Sequence, residues 1–484
     1  MYFLHLLTSL ALAQLATSQE TVLGVYIFSR HGDRTAKSTP PANLTDLGYQ
    51  EIFTSGTYFR NRYVATGADR RIFGVNSDLV KQSQIMASAP SDTVLQNSAL
   101  GFLQGLYPPV GEELGSNVLR NGTRVQSPLN GYQLIPLQSV QTGSNSEDSA
   151  WLQGSTNCAN AMISSNNYFT SAEFLETFNR TQSLYQKIYP DVARTFTEEQ
   201  TSFKNAYVVW DLLNVASIHN ASVPLPDDAD FFQLKTLADQ HEFGLAYNAS
   251  EPIRAVTGSI LAAEVVSALN STIAGHGKTK VNIQFGAYAG MLSFFGLSNL
   301  TSVNPDFFGV PDYASSLTWE LVTNATVTSS SWPSVEDISV RFWFHNGTTS
   351  NTSEPVEYPL FGSNRSPLPW NEFVDGMNKF AISGQAAWCQ ACGNSTGVCS
   401  AAALDADGDD STSSGESTRN DNGNGNGISK AVCGVIGAMV TLGVILGAEL
   451  LVMVVGGFRL VNKKRLQHPT TNGVAEGSFG KPEA

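Results

Sequence analysis

The apolar run Val22 to Phe28, rich in Val, Ile, Tyr and Phe, predicts a buried strand. It breaks off into the polar stretch Ser29-Arg30-His31-Gly32-Asp33-Arg34-Thr35. Further on, Leu44-Thr45-Asp46-Leu47-Gly48 predicts the start of a helix over Tyr49 to Thr66. Phe169 to Tyr189 and Phe203 to Ala216 repeat aromatic and aliphatic residues at spacings of three and four, and Gln200 to His219 reads as one long amphipathic helix. A helix over Arg254 to Leu269 is followed by two alternating stretches, Lys278 to Phe285 and Val340 to His345, that read as strands. Together these patterns predict an α/β sheet domain with an inserted helical cap at about 130–252.

Two apolar runs stand outside that scheme. Leu4 to Leu15, followed by Ala16-Thr17-Ser18, predicts a signal peptide over 1–18 and a mature chain starting near Gln19. Ala431 to Phe458 is long enough to span a bilayer, and Arg459, Lys463, Lys464 and Arg465 follow it directly. The expectation is a type I membrane protein. Residues 19–400 would form the ectodomain, 401–430 an acidic Gly/Ser/Asp/Asn stalk, 431–458 the transmembrane helix and 459–484 the cytoplasmic tail. The predicted address is the secretory pathway, at the plasma or vacuolar membrane, with the large domain lumenal or extracellular. N-x-Ser/Thr sequons run from Asn43 to Asn394 and none follows the second apolar run, so N-glycans are expected on the ectodomain. Glu449 inside the run is expected to face a partner helix or the headgroups, and Gly443 and Gly447 are spaced for a helix-mediated dimer.

Composition narrows the function classes. The 484 residues carry a formal net charge of -14, which argues against a nucleic-acid partner because a phosphate backbone needs a basic face. Cys158, Cys389, Cys392 and Cys399 fall in the expected oxidising compartment and predict two disulfides among three possible pairings. Cys389-x-x-Cys392 with Cys399 has no histidine nearby, so no metal and no cofactor are expected.

Candidate chemistry centres on the polar stretch after the first strand. Arg30 and Arg34 can fork onto phosphoryl oxygens, and His31 offers an imidazole nitrogen as nucleophile. Arg30-His31-Gly32-Asp33-Arg34-Thr35 resembles the R-H-G-x-R-x motif of the histidine acid phosphatases, the phytase-containing branch of the histidine phosphatase superfamily. The resemblance extends through Leu44 to Gly48, Ser98 to Pro109, Arg254 to Ser259, Pro311 to Leu321 and Pro367 to Phe373. It implies a phosphohistidine on His31, phosphate held by Arg30 and Arg34, and phosphate esters or phosphate as ligands.

The same resemblance marks three altered positions. Val94 stands where the family has a third phosphate-binding arginine, and no arginine lies between Arg71 and Arg120. Tyr288 and Ala289 stand where active relatives have a His-Asp pair that stabilises the phosphoryl group and protonates the leaving oxygen. His276, in the turn Gly275-His276-Gly277 before that strand, is expected near the opposite edge of the sheet. Trp210, His219 and His241 read as packing or surface residues. Three readings follow: a membrane-anchored phosphomonoesterase, a pseudophosphatase that binds phosphate or a partner, and a glycosylated surface scaffold.

Overall fold

The computed structural model describes residues 20–140 and 157–400. The expected signal peptide, stalk, membrane span and tail lie outside the described residues. Ten strands occur among them: β1 (Thr21–Arg30), β2 (Ile85–Pro90), β3 (Ser116–Val118), β4 (Arg124–Gln126), β5 (Leu137–Val140), β6 (Val281–Gly286), β7 (Ser316–Thr323), β8 (Ile338–His345), β9 (Val356–Glu357) and β10 (Leu368–Pro369). β3 and β4 form a separate hairpin. The others form one mixed sheet in the order β10-β8-β7-β1-β6-β2-β5, with β9 on β8. β1, β6, β2 and β5 run parallel, and β7 and β8 turn antiparallel on the other side of β1.

β1 is central because it is apolar on both faces, as a strand in a doubly covered sheet must be. Val25 and Ile27 join a core with Ile52, Phe59 and Phe102 from helices α1 (Asp46–Tyr63) and α2 (Thr93–Leu106). Tyr26 and Phe28 face the opposite core. There the sheet meets α7 (Val256–Ala274), α8 (Tyr288–Leu297) and α9 (Trp370–Asn378). The segment Pro252–Ala274 is apolar and long enough to cross a membrane, but here 61% of its most apolar window is buried inside the fold, so it is a core helix.

The helical insertion comprises α3 (Ala159–Asn167), α4 (Ala172–Val192), α5 (Ala206–His219) and α6 (Asp228–Ala246). Residues 137–140 belong to the sheet, so the insertion starts beyond Val140 and not at about residue 130. The expected continuous helix over Gln200 to His219 is broken as well. Gln200 accepts from the Thr197 N–H through Oε1 and from the Asn205 amide through its carbonyl, which holds a turn there, and regular helix starts only at Ala206. Elsewhere the signals hold: the Thr45 hydroxyl accepts from the Gly48 N–H at 3.1 Å and caps α1.

Two disulfides form, Cys158–Cys392 and Cys389–Cys399. The first ties the start of α3 to α10 (Gly384–Cys392) across 234 residues of chain. Beneath the sheet, buried Glu320 on β7 meets Arg62, Arg70 and the Tyr63 hydroxyl, fastening β7 to α1 and the loop after it. Burial alone would raise the Glu320 pKa, but the Arg70 and Arg62 guanidiniums outweigh it and hold the carboxyl below its usual range.

Candidate active site

Strand register brings two distant segments together. Arg30, the last residue of β1, pairs with Gly286, the last of β6, so both strands end side by side at the carboxyl edge of the sheet. α8 starts immediately afterwards, which places Tyr288 beside Arg30. A third segment, Pro311 to Ser315, closes the ring: the Arg30 N–H donates to the Ser315 carbonyl at 2.8 Å and the Ala314 N–H to the His31 carbonyl at 2.9 Å. Ala314 holds φ of +61° to make that contact, a conformation costing roughly 1–2 kcal/mol for a residue with a Cβ.

The motif glycine is needed for contact with α1. A Cβ on Gly32 would lie 2.2 Å from the Gly48 carbonyl oxygen, and one on Gly48 would lie 2.1 Å from the Asp33 carbonyl oxygen. The turn is thus pressed onto the first turn of α1, where the Asp33 N–H donates to Glu51 Oε2 at 2.8 Å and the Thr45 hydroxyl donates to Asp33 Oδ1.

His31 has no exposed surface, and its Nδ1 lies 2.8 Å from the Gly32 carbonyl oxygen. A carbonyl only accepts, so Nδ1 carries the proton and Nε2 the lone pair in the neutral ring. That is the tautomer a nucleophile needs. Arg30 donates to the Pro311 carbonyl and reaches the Tyr207 hydroxyl at 3.5 Å, with its guanidinium 4.7 Å from the Tyr313 ring centre and 5.0 Å from that of Tyr288. Arg34, also without exposed surface, donates to the same Tyr207 hydroxyl at 3.3 Å and pairs with Asp211 at 3.1 Å. The two arginines therefore share one phenol oxygen. Burial pushes the Tyr207 and Tyr313 hydroxyls up in pKa, so both remain neutral.

The altered positions have settled into other roles. Val94 lies on α2 and is 1% exposed. The Tyr288 hydroxyl donates to Glu242 Oε2 at 2.7 Å, while Glu242 Oε1 meets His241 Nδ1 at 2.7 Å. Burial would raise Glu242, but His241, Tyr288 and the Lys37 charge hold it below the ordinary carboxylate range. Glu242 is therefore ionised and cannot hand over a proton. Ala289, in the first turn of α8, packs its methyl against the core. His276 sits in a turn before β6 and stacks on Trp332, away from the edge that holds His31.

Sequence reasoning passed over several residues that the structure brings to this site. Asp211 and Tyr207, one helical turn apart on α5, meet Arg34. His219, at the end of the same helix, lies 2.6 Å from Asp33 Oδ1, and Trp210 lines a small cavity of about 270 Å³ beside Arg30, Glu51 and Tyr313. His241 is buried behind Glu242. The signal present in the sequence was the stripe Tyr207, Asp211, Asn214 and Ile218 at helical spacing, which reads as packing until its partner surface is known. Among the described residues no group of three or more His, Cys, Asp or Glu is arranged to hold a metal ion.

A family profile described as "Histidine phosphatase superfamily (branch 2)" matches residues 39–345. The chain belongs to this superfamily branch. The match begins after Arg34, so the Arg30–Arg34 motif supports the assignment independently. Among solved structures, the phytase of Citrobacter braakii is similar over 77% of this chain and 99% of its own, at 14% identity and a TM-score of 0.52. The Klebsiella sp. ASR1 phytase is similar over 76% of this chain and 99% of its own, at 11% identity and a TM-score of 0.50. At such identities the likeness concerns the histidine phosphatase fold. No curated protein matches the sequence.

Proposed function

We propose that this histidine phosphatase-fold protein is a membrane-anchored phosphomonoesterase of the secretory pathway that works through a phosphohistidine on His31. One observation carries the reading: His31 is held as the tautomer with its lone pair on Nε2, on a buried loop flanked by Arg30 and Arg34 at the carboxyl edge of the sheet. A phosphoryl group entering there would meet the two guanidiniums that neutralise its charge and the nitrogen that attacks phosphorus. With Ala289 in place of the family's acid, the leaving oxygen must take its proton from another group or leave as an anion. Anchoring rests on the apolar run 431–458, and the lumenal setting on the one-sided sequons and the two disulfides.

A second reading, binding of phosphate or a phosphorylated partner without turnover, is favoured by the three altered positions Val94, Tyr288 and Ala289. One experiment separates the two. The full chain in detergent is assayed for p-nitrophenyl phosphate hydrolysis beside His31→Ala, with vanadate binding followed by thermal shift. The enzyme reading expects hydrolysis that His31→Ala abolishes. Vanadate stabilisation without hydrolysis would establish the second reading, and neither response would reject both.

A further inference from the structure

The structure assigns a replacement general acid: we propose that Asp211, carried on cap helix α5, protonates the leaving oxygen in place of the family acid lost at Ala289. The inference rests on the phosphomonoesterase reading and adds the residue that reading lacks.

Three observations single out Asp211. It has no exposed surface, and it comes from the cap, not from the strand end where the family keeps its acid. Its two oxygens are differently employed. Oδ2 accepts the Lys37 backbone N–H at 2.8 Å and lies 3.3 Å from Arg34 Nη1, whereas Oδ1 is buried without a hydrogen bond and only faces Arg34 Nη1 at 3.1 Å. Oδ2 is therefore fixed as an acceptor, and Oδ1 is the oxygen that can carry a proton. Finally, the carboxyl touches the guanidinium that would hold the phosphate, so a phosphoryl oxygen on Arg34 comes next to Oδ1.

The charged and titratable groups facing Asp211 are Arg34 and Lys37 from the motif loop, Tyr207 from its own helix and Tyr313 from the segment before β7. A phosphate monoester entering as its monoanion carries its own proton, which passes from a phosphoryl oxygen to Oδ1 while the resulting dianion is held by the Arg34 guanidinium. His31 Nε2 then forms the P–N bond while the ester P–O bond breaks, and Oδ1 gives its proton to the departing oxygen, releasing an alcohol. In the second half the Asp211 carboxylate takes a proton from the attacking water. The water oxygen bonds to phosphorus, the P–N electron pair returns to Nε2, and phosphate leaves.

The other carboxylates near the loop are employed differently. Glu242 is held ionised by His241 and Tyr288. Asp33 turns Oδ1 to Thr45 and His219, and although its Oδ2 is also buried without a hydrogen bond, its carboxylate pairs with His219 and not with a phosphate-facing arginine. Glu51 accepts the Asp33 N–H at the small cavity beside Arg30, and burial raises its pKa, so it is the rival acid that the test must separate from Asp211.

The test compares an aryl ester, p-nitrophenyl phosphate, whose leaving group needs no proton, with an alkyl ester, glycerophosphate, whose leaving group does. The readout is the ratio of their kcat/KM values in the full chain. Asp211→Asn is expected to lower the alkyl-to-aryl ratio by about 10²- to 10⁴-fold, the usual worth of general-acid assistance. A purely structural role would lower both substrates alike and leave the ratio where it was, which would overturn the proposal. So would a ratio that moves in Glu51→Gln and not in Asp211→Asn. The wild-type protein supplies a measurement independent of any variant's folding: alkyl kcat/KM should fall with rising pH through an alkaline limb that the aryl substrate does not show. Aryl turnover with no alkyl turnover at any pH would reject Asp211 as acid and leave the parent reading standing. No turnover of either ester would reject both.

Discussion

At the scale of single residues, two buried arginines share one phenol oxygen. The Tyr207 hydroxyl accepts from both Arg30 and Arg34, so Tyr207→Phe leaves two guanidiniums short of an acceptor. Hydrogen bonds to charged groups contribute about 1.5–3 kcal/mol, and urea unfolding of the variant should show a loss of that order. Glu242 makes a prediction in pH. Its folded pKa lies below the unfolded value, so its contribution to stability is present at neutral pH and is lost as pH falls below the unfolded carboxylate range and through the folded pKa. Glu242→Gln removes that titration, and the acid limb of a Tm-versus-pH profile should be shallower than in the wild type. An equally steep limb would show that Glu242 is not held ionised by His241 and Tyr288.

The same scale shows what the sequence could disclose. The proximity of Arg30, His31 and Arg34 was legible because the three lie in one contiguous string, and Thr45 was legible because a cap acts within three residues. The placement of Tyr288 and Ala289 just past the end of β6 was legible because an alternating strand of recognisable length precedes them. Asp211 and His219 were not legible. They reach Arg34 and Asp33 across 177 and 186 positions, and nothing local distinguishes a carboxylate that meets a guanidinium from one that meets water.

At the scale of elements, α5 is the piece that completes the site. Its stripe Tyr207, Asp211, Asn214 and Ile218 faces the motif loop and the small cavity, and His219 clasps Asp33 at its end. His219→Ala removes that clasp without touching Arg34 or His31. The His219 side chain is 33% exposed but the Asp33 carboxylate it meets is fully buried, so its loss leaves a buried acceptor short of a donor, and the expected outcome is a drop in Tm corresponding to about 1–3 kcal/mol. The expectation of one helix from Gln200 failed for a local reason. Side-chain amides of Gln200 and Asn205 compete for backbone groups, and periodicity of apolar positions does not register that competition. β5 was not legible: it is only four residues long and largely polar, and it is placed by pairing with β2 and by Leu137 packing on the core.

For the whole molecule, the mixed sheet with helices on both faces follows from strands apolar on both sides, and that much of the fold was readable. Which of three disulfide pairings forms was not, because it depends on α10 returning to the start of α3. Cys158–Cys392 closes a loop of 234 residues, for which the chain-entropy account gives a stabilisation up to roughly 5 kcal/mol. Cys158→Ala should therefore lower Tm far more than Cys399→Ala, whose bridge spans only 10 residues. Equal shifts would contradict the assignment of the long bridge as the main tie between cap and C-terminal helix.

The central claim is that His31 carries the phosphoryl group. It is tested most directly by quenching the full chain with alkali during exposure to p-nitrophenyl phosphate and mapping phosphorylation by peptide mass spectrometry. The account predicts a phosphoryl group on the peptide containing His31, localised to that residue and absent in His31→Ala. Turnover with no label on His31, or a label that persists in His31→Ala, would contradict it.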